Sequence, residues 1–187
     1  IIALHNQKDK LEKIHKFFNK NPTNNISNAR PSFLNVVFNG KKGSGRKTLI
    51  NSFASKYGYE FLAIDLLDLS AFPLIESFAR IENTFIKAKQ VAPSIIYLTN
   101  IQFLSTEILG RKILSEISKY NLRNKVVVII ETENSYDDPK YLFGHKGFNN
   151  QLNFGEELNG AELQAIKEYY NDIIMETRDE FISKFKN

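Results

Sequence analysis

Cysteine is absent from the 187 residues, which excludes disulfides and thiolate metal sites alike. Their absence suits a reducing, cytosolic setting. No apolar run is long enough to span a bilayer, and no signal-peptide pattern opens the chain. Charge of one sign is not in large excess either: 25 Lys and Arg stand against 21 Asp and Glu, a net +4. The lysines are scattered among acids, which fits a solvated surface and provides no basic stripe for nucleic acid. No internal repeat is visible. The chain begins at Ile1 rather than at a methionine, and it is expected to be an excerpt of a longer protein. What is present is an ordinary globular composition, with length for one substantial core and at most a small appendage.

Hydrophobic spacing divides the chain into alternating strands and helices. Lys8 to Phe18 carries Leu11, Ile14, Phe17 and Phe18 on one helical face. The Asn-rich segment from Asn19 to Arg30, bounded by Pro22 and Pro31, predicts a loop. Phe33 to Phe38 suits a buried strand, and Arg46 to Tyr57 a helix ended by Gly58. Phe61 to Ile64 is the next strand, closing at Asp65. After a turn at Phe72-Pro73 comes a helix with Ile75, Phe78, Ile81, Phe85 and Ala88 inward. Ile95 to Leu98 predicts a strand, and Thr106 to Tyr120 a helix burying Leu109, Ile113, Leu114 and Ile117. Lys125 to Ile130 is a β-branched run suited to a strand covered on both faces. Asp137 to Asn150 is irregular, Gln151 to Phe154 a short strand, and from Ala161 the pattern is helical. Such alternation predicts an α/β fold, a parallel sheet with helices on both sides.

Two stretches carry chemistry. Gly40-Lys41-Lys42-Gly43-Ser44-Gly45-Arg46-Lys47 has the outline of G-x-x-x-x-G-K-[ST], a loop whose backbone N–H groups cradle phosphate at a helix N-terminus. Counted from Gly40 and Gly45, Arg46 takes the lysine position and Lys47 that of the Mg²⁺-binding hydroxyl. Sliding the register would make Lys47-Thr48 the usual pair, but Lys41 and Arg46 would then replace both glycines. The apolar spacing of Leu49, Ile50, Phe53, Ala54 and Tyr57 argues against the slide. The candidate phosphate-binding residues are therefore Gly40, Gly43, Ser44, Gly45, Arg46, Lys47 and Thr48. The second stretch, Ala92 to Asn100, ends in Thr99-Asn100 where a P-loop ATPase has an Asp for Mg²⁺ and often a Glu for water. Neither residue ionises, so neither offers charge to a metal or a strong base to water.

Taken with its flanks, the chain resembles the AAA ATPases over roughly residues 5 to 170. Ala92-Pro93-Ser94-Ile95-Ile96-Tyr97-Leu98-Thr99-Asn100-Ile101-Gln102-Phe103-Leu104 is similar to the AAA Walker B block A-P-S-I-I-F-I-D-E-I-D-x-L without its acids. Glu76-Ser77 falls where the family has G-E-S-E, and Phe85 with Ala88-Lys89 matches F-x-x-A-K. Phe148 to Gly155 resembles R-F-D-R-x-h-x-h-G, with Gly147 and Asn150 in place of the two arginine fingers. The resemblance implies a P-loop NTPase fold of about five parallel strands sandwiched by helices. It implies a large subdomain over 1–157 and the beginning of an α-helical lid over 158–187. The polar sensor after the Lys125–Ile130 strand falls on Thr132, Glu133 or Asn134, and Phe72 is the candidate pore-loop aromatic.

Within the family the loss of both Walker B acids and of the fingers is most similar to the first AAA domain of peroxisome-biogenesis ATPases of the peroxin-six type. That similarity implies a domain impaired in hydrolysis that serves nucleotide binding and assembly in a double-ring heterohexameric protein unfoldase. Its implied partners are neighbouring AAA subunits, including one of the peroxin-one type, and a protein substrate, with no nucleic acid. The implied location is cytoplasmic, at the cytosolic face of the peroxisomal membrane through an anchor protein. As cofactor the loop is expected to take ATP or ADP without needing Mg²⁺; the alternative is an empty loop closed by its own cations. Two other functions stand beside this one. A weak ATPase with substitute residues needs a carboxylate that Asn100 does not supply. A degenerate subunit of a clamp-loader or origin-recognition machine needs the basic stripe that the diffuse charge lacks.

Overall fold

A computed structural model describes residues 5–20, 35–103, 107–119, 125–133, 148, 150–154, 164 and 168. Helix α1 (His5–Lys20) precedes strand β1 (Asn35–Asn39), and helix α2 (Arg46–Tyr57) follows the glycine loop. Next come β2 (Glu60–Asp65), a short helix α3 (Leu66–Ser70), α4 (Leu74–Gln90) and β3 (Ser94–Thr99). A 3₁₀ turn at Ile101–Phe103 leads towards α5 (Glu107–Lys119), β4 (Val126–Thr132) and β5 (Asn150–Asn153). The five strands form one parallel sheet in the order β2-β3-β4-β1-β5. This is the α/β sandwich that the alternation predicts.

The period of two along each strand sorts the side chains onto two faces. Val36 and Phe38, Ile95 and Tyr97, and Val127 and Ile129 pack with Leu11 and Ile14 of α1 and with Leu49, Ile50, Phe53 and Ala54 of α2. Their neighbours Val37, Ile96, Leu98, Val126, Val128 and Ile130 pack with α3, α4 and α5 on the other face. Strands buried on both sides read as continuous apolar runs, which is why β3 and β4 show no alternation in sequence.

Local signals fix the element ends. Gly58, at φ 69°, caps α2 in the left-handed region that costs glycine nothing, and its N–H reaches Ala54 O. Asp65 caps α3 by accepting from Leu67 N at 2.9 Å. That helix is not anticipated by the apolar spacing, because five residues are too few to display a period.

Several side chains differ from the sequence expectation. Ile75 does not face inward; at 85% exposure it lies in the first turn of α4, outside the stripe of Ile81, Phe85 and Ala88. Ser77 takes an inward place instead, buried with its hydroxyl donating to Leu69 O at 2.9 Å. Leu114 and Tyr57 are half-buried. Glu116 on α5 is fully buried, clamped by Lys112 at 2.7 Å and Lys119 at 2.8 Å. Burial alone would raise its pKa, but the two ammonium groups outweigh that and hold it below the usual carboxylate range.

The side chains of Phe17 and Phe18, the irregular stretch up to Gly147 and the expected lid over 158–187 lie outside the described residues, save Gln164 and Glu168. Those two are helical, and Gln164 donates to Glu168 at 2.8 Å.

Candidate nucleotide site

The loop between β1 and α2 sits at the C-terminal end of the sheet, where open α/β sheets present their ligand crevice. Gly43 at φ 85° and Gly45 at φ 86° turn the backbone through left-handed conformations. Ser44 N–H bonds to Lys41 O at 3.1 Å, and the helix ladder opens with Leu49 N–H to Gly45 O at 2.8 Å. Arg46 is therefore the first residue of α2, the register in which it occupies the lysine position. Gly40 is needed for space. A Cβ there would lie 2.5 Å from Phe154 O and 2.8 Å from Phe154 Cβ, because β5 runs directly beside β1.

The loop fits a phosphate. Its N–H groups open a helix of 12 residues, and the Ser44 hydroxyl is enclosed without a hydrogen-bond partner among the described residues. Lys41, Lys42, Lys47 and Thr48 are exposed around it. The residues at the family's metal positions carry no negative charge. Lys47 brings a cation where the metal-binding hydroxyl belongs, and the end of β3 offers Thr99 and Asn100. Among the described residues no group of three His, Cys, Asp or Glu is placed to hold a metal.

Asn100 is committed elsewhere. Its backbone stands at φ 58°, and its Nδ2 donates to Asp65 Oδ1 and Oδ2, both at 2.9 Å. Asp65 ends β2, which flanks β3 on the side away from β4 and β1. The amide is thus turned towards the far edge of the sheet rather than towards the loop.

Arg46 holds the main departure from the sequence expectation. Instead of lining the open loop it is 3% exposed and points down to the end of β4. One terminal nitrogen donates to Thr132 O at 2.5 Å and the other meets Glu131 Oε1 at 2.7 Å. Tyr97 donates its hydroxyl to Glu131 Oε2 at 2.5 Å. Burial first, and then the bond to Glu131, push the Tyr97 phenol far above its ordinary value, so it remains a donor. Thr132 O also accepts from Gly40 N at 3.0 Å, tying the start of the loop to the same strand end.

Glu131 and Tyr97 are site residues that the sequence argument missed. The signal was the pleat: Val127, Ile129 and Glu131 share the face of β4 that meets α2, and Tyr97 pairs with Ile129. An acid ending such a run lies under the helix that begins with Arg46.

Of the three sensor candidates, Thr132 is buried, Glu133 is exposed, and Asn134 lies outside the described residues. Gly147, one finger position, also lies outside them; Asn150, the other, begins β5. Phe72 is half-buried under the Arg80 guanidinium, 3.8 Å from its ring centre.

Compared with known families, residues 36–155 match the ATPase family associated with various cellular activities (AAA). That span contains the loop, Glu131 and all five strands save Asn35, the first residue of β1. A comparison with curated proteins finds no match.

Proposed function

The chain belongs to the AAA family, and from that premise we propose that this domain is a nucleotide-binding module that does not hydrolyse. Its task is to hold neighbouring AAA subunits in register within a hexameric, ATP-driven protein unfoldase. The observation that carries the proposal is the contrast at one sheet end. The phosphate loop keeps its two left-handed glycines, while Lys47 and Asn100 stand where a metal ligand and a base are required. Phosphoryl transfer draws its rate from metal, water-positioning group and arginine finger. With the first two positions altered and Gly147 and Asn150 at the finger positions, binding outlives chemistry.

In this reading the backbone N–H groups of Gly43 to Arg46 orient the phosphates, and the exposed Lys47 ammonium neutralises charge beside them. Nucleotide then binds without Mg²⁺. Among double-ring members the combination is most similar to the peroxin-six type. The full reading is therefore recycling of peroxisomal import receptors from the cytosolic side, beside a peroxin-one-type partner and an anchor in the membrane. The domain alone is a monomer and joins a ring only beside partner domains.

Calorimetry of ATP in excess EDTA against excess Mg²⁺, with phosphate release followed in parallel, tests the site. Equal binding in both buffers and no release above a heat-killed control are expected. Binding lost in EDTA, or Mg²⁺-dependent release, would sink the proposal. Sedimentation tests assembly: a stable ring formed by the isolated chain would rule out the heteromeric form.

A further inference from the structure

The guanidinium that stands in the phosphate-binding lysine position already has an anionic partner inside the protein. Arg46 meets Glu131 Oε1 at 2.7 Å, and the same carboxylate is held at its other oxygen by Tyr97. The carbonyl of Thr132 takes a second terminal nitrogen of Arg46. Both bonds lie beneath the loop, in a place where the guanidinium is almost sealed from solvent.

We propose that Glu131 is an internal competitor for the nucleotide phosphate: it latches Arg46 below the loop, and nucleotide engages Arg46 only by breaking that pair. This rests on the reading of the loop as a nucleotide site. Three features shape the latch. Glu131 lies on the α2 face of β4 by the pleat, so its carboxylate is brought under the first turn of that helix rather than out to solvent. Tyr97 is a positioning residue, because its bond to Oε2 leaves Oε1 turned to Arg46. The helix N-terminus is itself electropositive, so an unpaired Arg46 is unfavourable there and either an acid or a phosphate must compensate it.

Competition has a measurable signature. A site open for only a fraction of the time binds more weakly by that fraction. Removing the competitor therefore raises affinity, which is the opposite of what loss of a structural residue does. The gain must also depend on Arg46.

The test is calorimetry of ATP in EDTA with the whole chain and four variants. Glu131→Gln is expected to bind about tenfold more tightly than the unaltered chain. Glu131→Asp keeps the charge but draws it back by one methylene, and a smaller gain in the same direction is expected. Arg46→Ala is expected to bind no better than the unaltered chain, and Arg46→Ala with Glu131→Gln to show no gain over Arg46→Ala. If Glu131→Gln does not fold, judged by its thermal melt, Glu131→Asp decides. Unchanged or weaker binding by the folded Glu131 variants, while the unaltered chain binds ATP, overturns the latch and leaves the nucleotide reading standing. A gain that persists without Arg46 also overturns it. If neither the unaltered chain nor any variant binds ATP, the nucleotide reading fails and the latch fails with it.

Discussion

Arg46→Met tests how much of the fold hangs on the buried cation. Its side chain is 2% exposed, and its two bonds, to Glu131 and Thr132 O, are both charge-assisted. Such bonds contribute about 1.5–3 kcal/mol each, and breaking a buried pair from one side typically costs about 3–5 kcal/mol. Two features of the site reduce the loss. Methionine keeps most of the apolar stem packed against the core. The orphaned Glu131 retains its bond to Tyr97 and, with its side chain 22% exposed, hydrates in part. The expected destabilisation is about 3 kcal/mol, which for a chain of this size lowers Tm by roughly 6–12 °C. Glu131→Gln leaves the opposite charge unpaired at the positive end of α2, with a cost of about 2–4 kcal/mol. The double variant removes both charges, so urea unfolding is expected to give a coupling of about 2 kcal/mol between the two sites. Single effects that simply add, or Arg46→Met within about 1 kcal/mol of the unaltered chain, would refute the reasoning.

Three further perturbations follow from the geometry. Asn100→Glu, the change that would return the family's acid, sets a carboxylate against Asp65 and is expected to cost about 1–3 kcal/mol; adding Asp65→Asn should recover most of it in urea unfolding, and no recovery would disprove the pairing. Gly40→Ala drives a Cβ into the backbone of Phe154, so the denaturant midpoint is expected to fall by the equivalent of about 1–3 kcal/mol, and an unchanged midpoint would show that β5 yields freely. His15 stacks on Tyr57 at 3.9 Å, and burial is the main cause that lowers its pKa below 6.5, Glu12 opposing and Lys56 assisting. The unfolded chain therefore takes up the proton first, and stability is lost as pH falls from about 6.5 towards the lower folded value. Melts between pH 7.5 and 5 should show a slope that His15→Phe reduces; an equal slope in both proteins would remove His15 from the account.

The fold was legible because its signals are local. The apolar runs at Ile95 and Val126, the glycines at 43, 45 and 58, and the helical stripe through Ile81, Phe85 and Ala88 each carry their structure in adjacent residues. Glu131 was not legible in that way. Its role depends on a strand end, a helix start and Tyr97 meeting: Tyr97 is 34 residues away along the chain, and Arg46 bonds to the neighbouring Thr132 across 86. Spacing locates Arg46 at the start of α2 and says nothing of where its long side chain finds its counter-charge. Ile75 was misjudged for a related reason: at the first turn of a helix, periodicity continues in sequence after the packed surface has ended.

The placement of β1 has a consequence for synthesis. This strand lies between β4 and β5 and pairs with no strand near it in sequence. Its last residue, Asn39, touches Asn153, 114 residues further on. At ribosomal speeds of about 5–20 residues per second, β5 emerges roughly 6–23 s after β1. Until β4 emerges, Val36, Val37 and Phe38 have both strand edges unpaired and the glycine loop has no sheet end to sit on; from then until β5 emerges one edge is still open. The phosphate loop is thus among the first parts of the described chain to be made and among the last to take shape. A newly made chain is most exposed to mispairing at the very strand that carries its functional site.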